Sequence, residues 1–285
     1  MKIIILGSKG SLGQQLVKVF QDKNEIIAWD HDQVDVTDQE LVTNKIHDIK
    51  PNLIINASAY NAVDRCEDNE EEFKYAKKVN GLAPGYIARA ALDVSAFFVH
   101  YSSDYVFDGR SEDGYLEKDI PRPINKYGET KLLGEKEILK LTGDGLKCYI
   151  IRTSKLFGPK GLSEKVKNNF FDIMLSLAKE KKGLRVVDEE ISCFTYTPDL
   201  AVTTRKMVDE KLGFGVYHIV NAEACTWYKA AEALFEILNM DVSLQRVSSD
   251  EFPRPAKRPK NAILLNKKIP QLRSFKEALE DYLKL

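Results

Sequence analysis

Tyr127 and Lys131 stand four positions apart in the run Tyr127-Gly128-Glu129-Thr130-Lys131. On a helix, positions i and i+4 share a face, so this spacing sets a phenol beside an ammonium. A free phenol has a pKa of about 10 and is a poor acid–base group at neutral pH. A neighbouring cation favours the phenolate and is expected to lower that value. A phenol tuned in this way can give a proton to a carbonyl oxygen as hydride reaches the carbon, or run the reverse. Ser103 follows an apolar run at residues 96–101, where its hydroxyl would hydrogen-bond the same oxygen. Tyr127, Lys131 and Ser103 are the expected catalytic set, and Lys131 would also hold the nicotinamide ribose.

A second constellation supplies a place for a cofactor. Gly7-Ser8-Lys9-Gly10-Ser11-Leu12-Gly13 reads G-x-x-G-x-x-G and follows an apolar run at residues 2–6. Gly7, Gly10 and Gly13 permit a tight turn and close backbone approach to a pyrophosphate. A helix opening at the third glycine would offer free N–H groups to the same phosphates. Asp30 ends the next apolar run, at about the offset where an acidic side chain meets the adenosine ribose. Its carboxylate would accept from the ribose hydroxyls and repel a 2′-phosphate. NADH therefore ranks ahead of NADPH, with Lys9 as a cation that would attract the phosphate. Asp35 and Val36 are placed to flank the adenine.

These groups need a scaffold that brings residues 7–13, 30, 103 and 127–131 together. Short apolar runs at residues 2–6, 25–29, 53–55, 96–101 and 148–152 alternate with stretches of helical periodicity at 12–20, 41–49, 73–92 and 127–141. Strands apolar on both faces, alternating with helices, indicate a parallel sheet covered on both sides. The right-handed crossover rule then gives an α/β, doubly wound parallel Rossmann sheet. Residues 1–155 read as the NAD(P)-binding Rossmann domain. Residues 156–285 read as a smaller C-terminal α/β substrate-binding domain, from which a strand near 217–220 returns to the sheet. Residues 170–181, 227–238 and 275–283 have helical spacing, and Trp227 and Tyr228 read as core. A charge cluster at residues 67–72 reads as the start of a solvated helix.

Composition excludes several classes. The 285 residues carry 42 Lys+Arg against 43 Asp+Glu, a net charge of −1, which argues against nucleic-acid binding by bulk charge. Apolar residues are 44% and charged residues 30%, which fits a globular chain rather than a disordered one. No apolar run reaches the ~18 residues of a membrane span, and the first apolar run is too short for a secretory signal. Cys66, Cys148, Cys193 and Cys225 are dispersed, and the histidines have no ligand spacing, so no metal site is expected. Free thiols and a cytoplasmic location are the expectation.

The motifs jointly resemble the extended short-chain dehydrogenase/reductase superfamily, and within it the dTDP-4-dehydrorhamnose reductase family. The resemblance rests on residues 7–13, on N-A-S-A-Y-N-A-V-D at 56–64, on H-Y-S-S-D-Y-V-F-D-G at 100–109, and on Y-G-E-T-K-L-L-G-E-K at 127–136. Arg152-Thr153-Ser154, Thr226-Trp227-Tyr228 and Arg258-Pro259-Lys260-Asn261 extend it. It implies NAD(P)H-dependent reduction of a nucleotide-linked 4-keto-6-deoxysugar, within polysaccharide biosynthesis, by a monomer or homodimer. It also implies that Gly10, Ser11, Leu12, Asp30, Asp35, Val36, Ala59, Tyr60, Asn61 and Tyr101 surround the cofactor, and that Asp104 touches the sugar. Two alternatives stay open. One is a reductase or epimerase/reductase for another nucleotide sugar. The other is a non-catalytic regulatory subunit resembling the methionine adenosyltransferase β subunit.

Departures from the family pattern fall in the substrate half. Lys155 follows Arg152-Thr153-Ser154 where the family usually carries an aromatic residue. A cation there would suit a more polar or anionic sugar, unless it points to solvent. The family's D-Q-x-G-x-P-T segment reads Asp188 to Thr197 here, without its Gly and Pro, so the adjoining loop is expected to be reshaped. Arg258, with Arg254, Lys257 and Lys260, is expected either to grip a nucleotide diphosphate or to form a solvated basic loop. Gln15 occupies a position where some relatives carry a metal-bridging glutamate, so that metal is not transferred.

Overall fold

The computed structural model describes residues 1–163 and 166–284. The elements run β1 (Lys2–Leu6), α1 (Ser11–Phe20), β2 (Glu25–Trp29), α2 (Gln39–Ile49), β3 (Leu53–Asn56), α3 (Val63–Asp68) and α4 (Glu70–Ala76). A π-helical turn (Lys77–Leu82) leads into α5 (Ala83–Asp93), β4 (Phe97–Ser103), α6 (Lys126–Leu139), β5 (Cys148–Thr153) and β6 (Leu156–Phe157). Then come α7 (Phe170–Glu180), β7 (Gly183–Val187), β8 (Ile191–Ser192), β9 (Thr195–Tyr196), α8 (Thr197–Asp209) and β10 (Gly215–His218). The chain closes with β11 (Cys225–Thr226), α9 (Trp227–Ile237), β12 (Ser243–Val247) and α10 (Phe275–Leu283).

A six-stranded sheet has the order β10-β5-β4-β3-β1-β2, and every pair in it is parallel. The side-chain alternation of β1 shows why it is an interior strand. Ile4 and Leu6 pack on one face with Val42, Ile46, Ile87 and Ile138 from α2, α5 and α6. Ile3 and Ile5 pack on the other with Leu16, Phe20, Leu200 and Met207 from α1 and α8. Each fully buried aliphatic side chain stabilises the fold by about 1.5–3 kcal/mol, which only a covered sheet can collect from both faces. The sheet is the doubly wound Rossmann arrangement expected from the alternation of runs.

The chain beyond residue 155 contributes to both parts of the molecule. Strand β10 pairs with β5, and α8 packs against α1 on the sheet. The remaining elements build a separate core from Phe171, Leu184, Val186, Leu234 and Leu279, on α7, β7, α9 and α10. Strand β12 pairs parallel with β7 beside it.

The acidic cluster at residues 67–72 spans the end of α3 and the start of α4. Asn69 lies between them and caps α4 by accepting from the Glu71 and Glu72 N–H groups. The four cysteines are free. Among the described residues, no helix is long and apolar enough to cross a membrane, and no group of three His, Cys, Asp or Glu residues is placed to hold a metal ion.

Candidate active site

Strand β1 has β2 on one side and β3 on the other, so the order in which strands are added to the sheet reverses between β1 and β3. Ligands of open α/β sheets bind at the carboxyl ends of the strands beside such a point. A cleft of about 1250 Å3 opens there. Its walls come from the loops after β1, β2, β3, β4 and β5 and from the face of α6.

The glycine loop forms one end. Gly7 has φ +73°, a left-handed value that glycine adopts freely. A Cβ on Gly13 would stand 2.0 Å from the Gly7 carbonyl oxygen, so only glycine fits there. Helix α1 begins at Ser11 with no side chain capping it, and Gly161 lies against that start, its N–H donating to Ser11 Oγ at 3.2 Å. A helix start without a side-chain cap, opened by glycines that let a phosphate approach the backbone, is what a dinucleotide pyrophosphate requires, so these residues fit a nicotinamide dinucleotide. Gly7, Gly10, Ser11, Leu12, Gly13, Asp30, Asp35 and Val36 all line this end. The Asp30 carboxylate accepts from the Lys9 N–H at 2.9 Å and the His31 N–H at 2.8 Å. Those bonds hold it against the loop. The Lys9 ammonium is turned outward onto Asp32.

Ser103, at the end of β4, and Tyr127 and Lys131, on α6, line the middle of the same cleft. Asn125 fixes the start of α6 by accepting from the Gly128 N–H at 2.8 Å, while its amide donates to the Lys257 carbonyl at 2.8 Å. The Tyr127 hydroxyl lies 3.4 Å from Asn61 Oδ1. The Lys131 ammonium donates to the Tyr101 carbonyl at 2.6 Å. The Ser103 hydroxyl donates to Asp104 at 2.9 Å, and Ser154 donates to the same carboxylate at 2.5 Å. Ala59, Tyr60 and Asn61, after β3, complete the wall. Tyr101 meets the site through its backbone, because its phenol is hydrogen-bonded to Thr204 of α8 at 2.7 Å.

One electrostatic expectation is corrected. The spacing of Tyr127 and Lys131 predicts a phenol lowered by its neighbouring ammonium. Instead burial pushes Tyr127 above the usual tyrosine range, with the Asp104 carboxylate and Tyr105 adding to the rise and a hydrogen bond with Ser103 opposing it. Burial also brings Lys131 down to about 8, with the charge of Glu135 pulling the other way. Both groups are almost fully enclosed, and desolvation disfavours either charged form. The phenol therefore holds its proton at neutral pH, the form that a proton donor needs.

Burial similarly raises Asp104, against hydrogen bonds from Ser154 and Ser103 and the positive charge of Lys155. Beneath the site, Arg152 and Glu135 form a buried two-pronged ion pair, at 2.9 and 2.7 Å.

Lys155 is not turned to solvent. It lines the cleft, and its ammonium lies 3.7 Å from the centre of the Trp227 ring. Trp227, expected as core, is shared between the C-terminal core and the cleft, and its indole N–H donates to Glu190 at 2.9 Å. Tyr228 is buried in that core. Arg258 is not among the cleft residues. Its guanidinium pairs with Asp64 at 2.8 Å, and Arg254 pairs with Glu190. Arg254 and Arg258 thus neutralise acidic neighbours in this structure.

Asn80 escaped the sequence reading. It sits in the π-helical turn, a distortion often found at functional sites. Its amide accepts from the Tyr60 N–H at 2.8 Å and donates to the Tyr60 carbonyl at 3.0 Å and to Thr130 Oγ1 at 3.1 Å. The loop after β3 is thereby tied to α6. The only sequence signal was the Asn80-Gly81 pair interrupting a helical pattern.

A glycine loop at the switch point of a parallel sheet, with serine, tyrosine and lysine side chains converging beside it, defines a Rossmann-fold enzyme scaffold of the short-chain dehydrogenase/reductase class. The chain belongs to the RmlD substrate binding domain family, whose pattern matches residues 1–285. It is 33% identical to the spore coat polysaccharide biosynthesis protein SpsK of Bacillus subtilis strain 168, over 99% of this chain and 96% of that one. The crystal structure of a dTDP-4-dehydrorhamnose reductase from Clostridium acetobutylicum ATCC 824 superposes with a TM-score of 0.91 at 37% identity, covering 100% of this chain and 99% of that one. The dTDP-4-dehydrorhamnose reductase of Bacillus anthracis strain Ames, solved in complex with NADP, gives a TM-score of 0.91 at 34% identity, covering 99% and 98%.

Proposed function

We propose that this protein catalyses the NAD(P)H-dependent reduction of a nucleotide-linked 4-keto-6-deoxysugar, namely dTDP-4-dehydro-L-rhamnose to dTDP-L-rhamnose. The observation that carries the reading is the meeting of Ser103, Tyr127 and Lys131 in the cleft that the glycine loop opens. The names of the relatives support the same reaction.

Gly7, Gly10, Ser11, Leu12, Gly13 and Asp30 would hold the dinucleotide, and Lys131 its nicotinamide ribose. The bound cofactor supplies hydride to carbon 4. Tyr127, which burial keeps protonated, gives its proton to the keto oxygen. Ser103, turning its single O–H from Asp104 to that oxygen, donates a hydrogen bond to it and orients it. The cationic Lys131 favours the negative charge that develops as the phenol loses its proton. Asp104, held by Ser154, is placed to accept from a sugar hydroxyl.

Asp30 supports NADH over NADPH. Its carboxylate faces the cleft, while the Lys9 ammonium that would attract a 2′-phosphate is engaged by Asp32. The NADP complex of the Bacillus anthracis relative makes this a question for measurement. The purified protein is assayed with dTDP-4-dehydro-L-rhamnose and each reduced cofactor in turn. Formation of dTDP-L-rhamnose, with a higher kcat/KM for NADH, is expected. No oxidation of either cofactor would overturn the reductase assignment.

A further inference from the structure

Lys155 connects β5 to β6 with φ +36°, a left-handed value uncommon for a residue with a side chain. Its carbonyl accepts from the Thr195 N–H at 3.2 Å, which fixes the turn. The side chain runs inward between rings. Its ammonium lies 3.7 Å from the centre of Trp227 and 4.9 Å from that of Phe194. That nitrogen is buried and meets no hydrogen-bond acceptor among the described residues. An ammonium carries three donors. Attraction to the ring faces offsets part of its desolvation but satisfies none of them.

The nearby carboxylates are engaged by other donors, and neither makes a hydrogen bond to the ammonium. Asp104 takes the hydroxyls of Ser103 and Ser154. Glu190 takes the Trp227 indole N–H, the Ser249 hydroxyl and Arg254. The thiols of Cys193 and Cys225 are each pushed up to about 12 by burial and remain neutral. Lys155, Trp227, Asp104 and Tyr127 all line the one cleft. A buried polar group without a partner calls for an explanation, and a ligand in that cleft can supply the missing acceptor.

We propose that Lys155 is a specificity-determining residue whose ammonium binds an oxygen acceptor, a hydroxyl or a carboxylate, on the sugar of the substrate, with Trp227 as the wall that aims it. The inference rests on reading the cleft as a keto-sugar reductase site. An apolar substituent at that place would leave all three donors unmet, so this site selects for oxygen there.

The test compares wild type with Lys155→Met, which keeps the volume, and Lys155→Gln, which keeps a donor without charge. Thermal melting confirms that each variant is folded. The substrates are a nucleotide-linked 4-keto-6-deoxyhexose, its analogues lacking one ring hydroxyl, and a 4-keto-hexuronate. A hydrogen bond from a charged donor predicts that Lys155→Met raises KM about 10- to 100-fold for the substrate bearing the contacted oxygen, with the loss in KM rather than in kcat. For the analogue lacking that oxygen, wild type and variant should differ by less than about threefold. Lys155→Gln should fall between them. Loss confined to the hexuronate identifies a carboxylate, and loss on the hexose identifies a hydroxyl. Equal KM values for wild type and Lys155→Met on every substrate would overturn the proposal. If wild type reduces none of them, the reductase reading fails instead. Calorimetric titration of both proteins with the same nucleotide sugars then decides the lysine, and unchanged affinity in Lys155→Met rejects it.

Discussion

Replacing Tyr127 by Phe removes a single oxygen, and the structure allows its effects on folding and on chemistry to be separated. The ring is buried and packs edge-on against Tyr105, with centroids 5.7 Å apart. Phe keeps that packing. The hydroxyl contributes a long hydrogen bond to Asn61, at 3.4 Å, and a neutral bond has a net worth of about 0.5–1.5 kcal/mol even when well formed. Stability should therefore change by less than about 1 kcal/mol, a shift of a few degrees in Tm at most. The chemistry should suffer far more. A positioned general acid contributes about 10²- to 10⁴-fold, which is about 3–5 kcal/mol of barrier at ~1.4 kcal/mol per decade. The assay follows loss of reduced-nicotinamide absorbance with dTDP-4-dehydro-L-rhamnose, alongside a melting curve and a cofactor titration. Expected are near-wild-type melting, cofactor affinity within about threefold, and a kcat lowered by at least about 10²-fold. A variant that melts normally and turns over at the wild-type rate would refute the role of Tyr127 as the proton donor.

Three further outcomes follow from the same geometry. Lys131→Met should abolish reduction yet remove the burden of a buried cation: folding lowers that lysine from 10.5 to about 8, so the unfolded chain holds the extra proton between those values and wild-type stability rises with pH across that window. Denaturation of the two proteins should then show the advantage of Lys131→Met shrinking by about 3 kcal/mol from about pH 7 to pH 10.5, and a pH-independent difference would contradict this. Asp30→Asn removes the carboxylate facing the adenosine end and should raise the NADPH-to-NADH ratio of kcat/KM about tenfold or more, read from initial rates with each cofactor; an unchanged ratio would show that Asp30 does not discriminate. Arg152→Met leaves the Glu135 carboxylate buried and unpaired and should cost about 3–5 kcal/mol by urea denaturation, whereas the double variant Arg152→Met, Glu135→Leu should recover most of it; a single variant as stable as wild type would be the contrary result.

The parts of this site that the sequence reveals are those made by local order. Gly7, Gly10 and Gly13 and the Tyr127–Lys131 pair each lie within one turn or one helix, where spacing alone decides geometry. The central strands are legible because a parallel strand buried on both faces must be continuously apolar, as Ile3, Ile4, Ile5 and Leu6 are. Helix α8 is less visible. It opens on Thr197-Pro198 and buries Thr204 among its apolar residues, so its stripe is weak although it packs with α1 on one sheet face. The fate of a long cation depends on distant residues. Arg258 is captured by Asp64 and Lys155 by Trp227, and neither partner is near it in the chain. The sign of the Tyr127 shift escapes for a related reason: spacing shows the nearby ammonium but not how completely the phenol is enclosed.

The sheet's last strand has a consequence for how the protein is made. Strand β5 is buried along its whole length, and β10, which lies against its far edge, is not translated until residues 215–218. Helix α8, which closes over α1, emerges only shortly before. At synthesis rates of about 5–20 residues per second, the nascent chain carries an open, apolar sheet edge for several seconds after β5 has been made. A fragment ending at residue 155 would carry that edge permanently and should aggregate. The cell's protection of this enzyme is therefore needed most during that interval on the ribosome.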